Sequence, residues 1–406
     1  MSNTNRSSVK LAIIVAALGY FVDVYDLLLF SIVRVASLRD LGVPENELLS
    51  TGVFLLNSQM AGLLLGGIFW GILGDKKGRI SVLFGSIILY SVGNILNGFV
   101  TSVNAYAGLR FLTGIGLAGE LGAGITLVSE IMPAKTRGYA TTFIASVGVA
   151  GAIAASLIGE IFTWRISFFI GGGMGLALLI LRVAVVESGL FDAIKSKAVK
   201  RGDLLMLFAS KERFLKYLSC IAIGVPIWYA IGIIITFSPE IGKALQMTEI
   251  PSAASSVFYS YLGLTVGDLI SGLLSQLLKS RKKAILYFIV LTTLCCVLIL
   301  CSPKISLDQF YLYTFFLGFS VGYWAVFITT AAEQFGTNLR ATVTTTVPNF
   351  VRGSVIPATI LFKTWSESIG SLNSALIVGL ICISIATIAT MNIKESFAKD
   401  LDFLES

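Results

Sequence analysis

Residues 51–79 read TGVFLLNSQMAGLLLGGIFWGILGDKKGR, and this stretch contains the pattern that decides the fold. No charged residue occurs from Thr51 to Gly74, whereas the segment after it contains one aspartate, two lysines and one arginine. An α-helix needs about 20 apolar residues to cross a hydrocarbon core about 30 Å thick. Residues 51–73 therefore predict a helix that crosses a bilayer, followed by a short charged loop in water.

Apolar stretches of this kind occur twelve times along the chain, with short polar segments between them. We expect twelve transmembrane helices, at residues 11–33, 51–73, 80–98, 105–131, 138–160, 164–185, 214–237, 252–277, 283–301, 308–333, 340–363 and 371–392. The composition agrees, because 55% of the 406 residues are hydrophobic, 13% are charged, and the mean hydropathy is +0.86. The chain is thus predicted to be an all-α integral membrane protein without a separate soluble domain.

The basic residues of the short loops fall on alternate loops, and this predicts the orientation. Loops with an excess of lysine and arginine stay in the cytoplasm. One side has Lys76, Lys77, Arg79, Lys135, Arg137, the segment 195–213, Lys279, Arg281, Lys282 and Lys283; the other has little beyond Arg39, Arg165, Lys243 and Lys304. We expect both termini in the cytoplasm and the protein in a bacterial inner membrane. The net charge of +7 reflects this bias and gives no reason to expect a nucleic-acid partner.

The longest polar segment, residues 187–213, separates six predicted spans from six. We therefore predict an N-terminal half at 1–186, a cytoplasmic central loop at 187–213 and a C-terminal half at 214–406. A weak repeat supports this division: Glu130 precedes Arg137 by the same interval by which Glu333 precedes Arg340. Two parallel six-helix repeats are an architecture of secondary transporters, which bind their substrate near the midplane between the halves.

Several segments resemble the major facilitator superfamily, and the resemblance covers the whole chain. The loop from Gly71 to Arg79 is similar to the family's signature between its second and third spans, and the sequence from Arg110 to Gly116 resembles its arginine motif in the fourth. The metabolite:proton symporters and their sugar-porter and aromatic-acid-porter relatives are similar to this chain at further segments. These are Asp23-Val-Tyr-Asp26, Gly119-Glu120, Glu130-x-x-Pro133, Arg137-Gly138, Trp164-Arg165-x-x-Phe168 and Arg182-x-x-x-x-Glu187-Ser188.

The resemblance implies a secondary active transporter that works by alternating access, in two six-helix halves. It implies proton-coupled uptake of a small organic anion or amino-acid-like metabolite. The alternative is a proton-coupled efflux antiporter of a small metabolite, drug or chelator. The fifth span carries Gly148-Val-Ala-Gly151 and lacks the Gly-Pro signature of drug antiporters, which argues against drug export. Leu63, Leu64 and Gln276 depart from the pattern of the metabolite symporters.

Three charges lie at one predicted depth in the first and fourth spans. Asp23 and Asp26 share a helix face, with Arg34 further along it. At about 1.5 Å per residue, Asp23 is about 18 Å from the inner surface, and Asp26 and Arg110 are each about 22 Å from it. Ionisable groups at such depth pair with one another or face a cavity. We predict that Asp23, Asp26 and Arg110 bind and release a proton; the alternative is a permanent ion pair that only holds the two helices together.

A second buried cation, Arg352, is predicted near the midplane of the eleventh span, just after Asn349. Pro348 and Pro357 lie on either side of it and are expected to loosen the helix. An arginine fork matches a carboxylate, so we predict that Arg352 binds an anionic group of the substrate. The alternative is that it pairs with another carboxylate or snorkels. Further predicted substrate contacts are Asn349, Gln59, Trp228, Tyr229, Tyr323 and Trp324.

Charges at the inner ends of the spans are predicted to form a cytoplasmic gate. Carboxylates in these loops add nothing to the positive-inside signal, so another role is expected for them. The predicted gate residues are Asp75, Arg79, Glu120, Glu130, Arg137, Glu333 and Arg340. The alternative is a set of solvated loop charges. Glu120 is about 8 Å from the inner surface, where it could belong to the gate or relay protons toward it.

The composition argues against several other classes. The chain has no histidine, which disfavours serine and zinc intramembrane hydrolases. Cys295, Cys296 and Cys301 lack a histidine to complete a metal site and are interpreted as packing residues. We therefore expect no enzyme activity, no metal and no cofactor. The expected partners are a small substrate bearing a carboxylate, protons and the lipid bilayer, with the protein acting as a monomer.

Overall fold

The computed structural model describes residues 3–77, 79–120, 134–187 and 204–397. Regular structure in these ranges is helical throughout. The α-helices are α1 Asn3–Asp40, α2 Leu48–Lys77, α3 Arg79–Asn97, α4 Val103–Leu117, α5 Ala134–Ile161, α6 Trp164–Glu187, α7 Lys211–Tyr229, α8 Ser238–Ala244, α9 Ala253–Leu277, α10 Arg281–Leu300, α11 Leu307–Ser320, α12 Trp324–Glu333, α13 Thr337–Gly353, α14 Val355–Ile369 and α15 Ser371–Asn392. The predicted all-α class is confirmed.

Many of these helices have the length and composition of membrane spans. Eight stretches of the described chain are long and apolar enough to cross a bilayer, and two shorter apolar helices lie at Ser81–Asn97 and Ser146–Ile161. The predicted span 105–131 is described only as far as residue 120. The number twelve, and the side on which the termini lie, remain predictions.

Three of the predicted spans in the second half are interrupted. Helix α7 contains Pro226, whose ring nitrogen cannot donate a hydrogen bond, and it continues as a π-helical segment at Ala230–Ile235. The predicted tenth span divides into α11 and α12, with Gly322 in the break. The eleventh divides into α13 and α14 at Ser354. Helix α13 runs through Pro348, so the interruption comes directly after Arg352 rather than at the proline.

By compactness, the described residues form two units that differ from the predicted division by sequence. The first unit consists of the described residues within 1–30 and 61–201, and the second of the described residues within 31–60 and 202–406. The end of α1 and the start of α2 thus pack with the second unit. A hairpin from the beginning of the chain is therefore part of a body made mostly of the later helices.

Glycines bring α2 and α4 into backbone contact in the first unit. A side chain at Gly62 would collide with the carbonyl oxygen of Phe111, and one at Gly66 would lie 2.6 Å from that of Ile115. Small residues let membrane helices approach in this way, since van der Waals packing replaces the hydrophobic effect in lipid. The contact fixes the position of α4, the helix that carries Arg110.

Candidate functional site

The acidic pair on α1 and the arginine on α4 are all buried in the first unit. Asp23, Asp26 and Arg110 each have 0% exposure. Tyr25, between the two aspartates, donates a hydrogen bond to the Ser167 carbonyl oxygen at 2.9 Å, and this bond ties α1 to α6. The charged form of a carboxylate or guanidinium is expensive to bury, so three such groups in one helix pair require mutual compensation or a mobile ion.

Asp26 is surrounded by groups that affect its charge. Arg110 is the strongest favourable neighbour, Asp23 adds a second negative charge, and Asn94 lies beside the carboxylate but outside normal hydrogen-bond geometry. Gly171 on α6 leaves room for this carboxylate, because a Cβ there would lie 2.5 Å from its Oδ1 atom. The predicted meeting of Asp26 with Asp23 and Arg110 is therefore present in the structure.

Arg110 is held by ring faces rather than by hydrogen bonds. Its guanidinium carbon lies 5.5 Å from the ring centres of both Phe30 and Phe168. Among the described residues, none of its three side-chain nitrogens has a hydrogen-bond partner. A permanent ion pair would be expected to show a short, bidentate contact with a carboxylate. Arg110 makes no such hydrogen-bonded contact with a described residue.

Arg352 and Trp228 come together in the second unit, as two of the predicted substrate contacts. Arg352 is 2% exposed, and its guanidinium carbon lies 5.8 Å from the Trp228 ring centre. Asn349, one turn earlier on α13, is also 2% exposed. The break at Ser354 follows within two residues. A guanidinium over an aromatic ring beside a helix end can receive a planar carboxylate.

The other predicted substrate contacts have different surroundings. The Tyr229 hydroxyl donates to the Ala375 carbonyl oxygen at 2.6 Å, and the Tyr323 hydroxyl donates to the Ile223 carbonyl oxygen at 3.0 Å. Both tyrosines thus connect helices within the second unit. Trp324 begins α12 and packs against Phe327 at 5.4 Å between ring centres. Gln59 is fully buried on α2.

The sequence did not predict a further ion pair, between the fully buried Arg34 on α1 and the partly buried Glu240 on α8. The Nη2 atom of Arg34 lies 2.7 Å from Oε2 of Glu240 and also donates to the Thr236 carbonyl oxygen at 3.3 Å, while Nη1 donates to that of Leu48 at 3.3 Å. The Arg34 guanidinium also lies 4.5 Å from the Phe237 ring centre. Helix periodicity puts Arg34 on the face of Asp23 and Asp26, but no local pattern connects it with a residue 206 positions away.

Comparison with known proteins identifies the family. The Major Facilitator Superfamily profile matches residues 12–357. The chain belongs to the major facilitator superfamily. It is therefore a multi-pass integral membrane protein of a family of transporters rather than of enzymes.

Transporters with similar sequences are named after small organic compounds. The chain is 28% identical over 340 residues to the probable 4-methylmuconolactone transporter of Cupriavidus pinatubonensis, a match that covers 80% of this chain and 76% of that protein. It is 27% identical over 273 residues to the sialic acid transporter NanX of Escherichia coli, covering 63% and 65%. It is 30% identical over 187 residues to the putative niacin/nicotinamide transporter NiaP of Bacillus subtilis, covering 45% and 46%. The last two matches thus span less than two thirds of those relatives.

Within this major facilitator, Glu120 pairs inside its own unit. Arg182 on α6 contacts both carboxylate oxygens, one of them at 3.1 Å through Nη1, and also donates to the Leu83 carbonyl oxygen at 3.3 Å. Gly19 on α1 makes room for the pair, since a Cβ there would collide with both side chains. The structure therefore joins α1, α3, α6 and Glu120, three residues after the end of α4, at a buried ion pair that the sequence did not predict.

The predicted gate of this transporter is described only in its second half. The side chains of Asp75, Arg79 and Arg137, and the whole of Glu130, lie outside the described part of the chain. Glu333 pairs with Arg281 at 3.1 Å and accepts a hydrogen bond from Ser396 at 2.8 Å. Arg340 donates to the carbonyl oxygens of Ala332 and Phe335. The contacts of Glu333 and Arg340 named here are separate, and all lie within the second unit.

Among the described residues there is no group of three or more ligating side chains that could hold a metal.

Proposed function

We propose that this major facilitator takes up a small organic anion together with protons, by alternating access. The observation that carries the proposal is the Arg110 guanidinium, which lies buried beside Asp26 without a hydrogen bond among the described residues. Such a charge is costly unless it can be balanced by a partner that comes and goes.

The proton is assigned to Asp23 and Asp26. Two close carboxylates repel each other, and protonation of one relieves that repulsion, whereas a nearby Arg110 favours the charged form. Movement of Arg110 during the cycle would thus change the proton occupancy of the pair. The chain has no histidine, which leaves carboxylates as the side chains suited to this task near neutral pH.

The anion is assigned to Arg352, with Asn349 and Trp228 beside it. Support comes from the cation over the indole ring and from the names of the relatives, since sialic acid and niacin are carboxylic acids. Gln59, Tyr229, Tyr323 and Trp324 complete the proposed surroundings. The hydroxyls of the two tyrosines already have backbone partners, so their contribution would come from the rings.

The remaining sequence predictions belong to the same proposal. The twelve spans are proposed to form halves at 1–186 and 214–406, joined by the cytoplasmic segment 187–213, with both termini in the cytoplasm of a bacterium. The protein is proposed to act as a monomer. Asp75, Arg79, Glu130, Arg137, Glu333 and Arg340 are proposed to form the cytoplasmic gate, and charge reversal at Glu130 would test that gate by cysteine accessibility from the inside.

Vesicles containing purified protein provide the test. Benzoate, nicotinate and N-acetylneuraminate are offered with and without an inward proton gradient, and accumulation is measured by radiolabel. Asp26→Asn and Asp23→Asn should each abolish gradient-driven accumulation, while at least one still exchanges substrate across the membrane. Arg352→Ala should remove binding, and Arg352→Lys should bind weakly because the charge remains without the fork.

The outcomes separate the parts of the proposal. Gradient-driven accumulation by both aspartate variants at the parental rate would exclude these residues as the proton carriers. Parental binding by Arg352→Ala would exclude the anion assignment. Proton-driven export of the acids instead of uptake would establish the antiport alternative.

A further inference from the structure

Arg34 is a buried cation of the second unit that has a carboxylate partner, Glu240, although its Nε atom has no hydrogen-bond partner among the described residues. Its side chain is 0% exposed, and its two terminal nitrogens bond one carboxylate and two backbone carbonyl oxygens. Gly52 on α2 provides the space, because a Cβ there would lie 2.8 Å from Cδ and 2.9 Å from Nη1 of Arg34. Such a pocket around one guanidinium is a built anion site, and Glu240 is the anion in it.

The partners of Arg34 come from two regions that are distant in sequence. Leu48 belongs to the hairpin of residues 31–60, whereas Thr236, Phe237 and Glu240 follow α7. Two further hydrogen bonds attach the hairpin of residues 31–60 to later helices. The Thr236 hydroxyl donates to Ser31 Oγ at 3.0 Å, and the Thr359 hydroxyl on α14 donates to the side-chain oxygen of Asn57 at 2.7 Å. By the predicted topology, this contact zone lies on the outer side of the membrane.

We propose that Arg34 is an outer receiving site for a carboxylate, and that Glu240 occupies this site as an internal substitute when the outer side is closed. This inference rests on the proposed function, because it assumes alternating access and an anionic substrate. Opening of the outer side would withdraw Glu240, Thr236 and Phe237 from Arg34. The Leu48 carbonyl oxygen, which lies on the same hairpin, would remain.

Charge balance gives the site its selectivity. A buried guanidinium that loses its carboxylate partner needs another anion or bulk water, and a substrate carboxylate can take the position that Glu240 leaves. An anion that binds only the open form shifts the population toward that form. Substrate arrival would thus promote opening, and Glu240 would restore closure after the anion has left.

The neighbouring charges provide a matched control. Arg39 and Glu45 form an ion pair at 2.5 Å in the same unit, and Lys243 lies 3.6 Å from Glu45. Arg39 and Glu45 are more than half exposed, so water already balances them. Loss of Glu45 removes the same charge as loss of Glu240, but from a pair that has no buried partner to release.

Ser238 is a suitable reporter of opening. It is 0% exposed, it lies two residues before Glu240, and its hydroxyl has no hydrogen-bond partner among the described residues. Ser238→Cys therefore removes no bond of the contact zone. Cys301, which is exposed, is replaced by serine in every variant; the other four cysteines are buried. Labelling by a membrane-impermeant maleimide from outside measures the open fraction.

The experiment compares Glu240→Gln with Glu45→Gln in the full-length protein in vesicles. Glu240→Gln should raise the labelling rate about tenfold, the equivalent of about 1.4 kcal/mol, whereas Glu45→Gln should not change it. Benzoate should raise labelling of the parent and bind Glu240→Gln more tightly, because its internal competitor is absent. The double variant Arg34→Ala/Glu240→Gln is equally open and should lose about tenfold in benzoate affinity relative to Glu240→Gln.

Each result bears on a separate statement. Unchanged labelling of Glu240→Gln would overturn the role of Glu240 as occupant. Equal benzoate affinity of Glu240→Gln and the double variant would overturn the receiving site. If nicotinate and N-acetylneuraminate also fail to bind the parent, then the proposed anionic substrate is wrong, and so is this site. If the parent transports these acids and only the Arg34 effects are missing, then the proposed function stands and the role of Arg34 is wrong.

Discussion

Arg34 and Arg110 are both fully buried arginines, and their surroundings are opposite. Arg34 has a carboxylate at 2.7 Å, two carbonyl oxygens and an aromatic ring, all in the second unit. Arg110 lies between two phenylalanine rings in the first unit, without a hydrogen bond among the described residues. Burial alone therefore does not tell whether a charge is structural. What differs is how many of its donors are already in use.

The largest expected difference is between Arg34→Ala and Arg110→Ala. Removing Arg34 leaves Glu240 without its cation, which should cost about 3 kcal/mol of stability. Removing Arg110 breaks no hydrogen bond to a described residue, and the neighbouring carboxylates can take up a proton, so stability should change by less than about 1 kcal/mol. Unfolding midpoints in detergent measure both. Proton-driven accumulation should nevertheless vanish in Arg110→Ala.

Arg165→Ala serves as a second reference for that comparison. Arg165 donates to the carbonyl oxygens of Gly98 and Val100, so its removal breaks two hydrogen bonds to neutral acceptors. The loss of stability in Arg165→Ala should fall between those of the two variants, because neutral acceptors cost less to leave unpaired than a partly buried carboxylate. A larger loss of stability in Arg110→Ala than in Arg34→Ala would invalidate the distinction.

The pocket around Arg34 can be tested without removing any charge. Gly52→Ala places a methyl group against Cδ and Nη1 of Arg34 and should destabilise by about 1–3 kcal/mol through overpacking. Gly108→Ala is the control, because Gly108 lies on the helix of Arg110 and a Cβ at this position would have no described atom within 4 Å. It should be neutral or stabilising by about 0.5–1 kcal/mol. Equal midpoints for the two variants would show that the pocket is not tight.

Asp268 provides a carboxylate that bonds to the end of a helix. Its Oδ1 atom accepts a hydrogen bond from the backbone N–H of Ala325 at 3.1 Å, at the start of α12. Asp268→Ala should cost about 1 kcal/mol, as for a lost helix cap, and Asp268→Asn should cost less because an acceptor remains. Thermal unfolding in detergent tests this order. An asparagine variant less stable than the alanine variant would indicate that the charge, not the acceptor, is needed.

The smallest effect is expected at Glu395, near the aqueous rim. Burial raises the pKa of Glu395, but hydrogen bonds from Ser280 and from the N–H groups of Phe397, Arg281 and Ser396 outweigh it and lower the pKa below 4.5. A carboxyl with a lowered folded-state pKa stabilises above its unfolded pKa, and this contribution disappears as the pH falls through the folded value. Glu395→Gln should therefore cost less than about 0.5 kcal/mol at pH 7, since solvent screens the group.

The pH dependence of the unfolding midpoint tests the direction of the pKa shift of Glu395. The difference in unfolding midpoint between the parent and Glu395→Gln should shrink as the pH is lowered from about 7 to about 3. A difference that grows on acidification would contradict the sign of the pKa shift.

The sequence predicted the parts of the site that depend on helix geometry. Three-residue spacing put Asp23 and Asp26 on one face, and counting the rise per residue put Arg110 at their level. For Arg352 and Trp228, the sequence predicted that both are substrate contacts, but it did not predict that they contact each other. Apolar length likewise predicted where the helices lie, because lipid forces the backbone to satisfy its own hydrogen bonds.

Contacts between distant segments could not be predicted in this way. Arg34 and Glu240 are separated by 206 positions, and neither periodicity nor depth selects one of the available carboxylates. The same holds for Glu120 with Arg182. The prolines predicted a loosened helix beside Arg352, but Pro348 is accommodated inside α13, and the helix is interrupted at Ser354. The prolines indicated the region in which the helix is interrupted, but packing determines that the interruption lies at Ser354.

The Trp228–Arg352 contact gives the protein an optical reporter of its own. Indole emission depends on the electric field across the ring, and a guanidinium 5.8 Å from the ring centre is a large source of that field. An anion that neutralises Arg352 would alter the emission colour without any attached dye. A variant in which the other four tryptophans are all replaced by phenylalanine would leave this single indole, whose emission could be followed in real time during turnover.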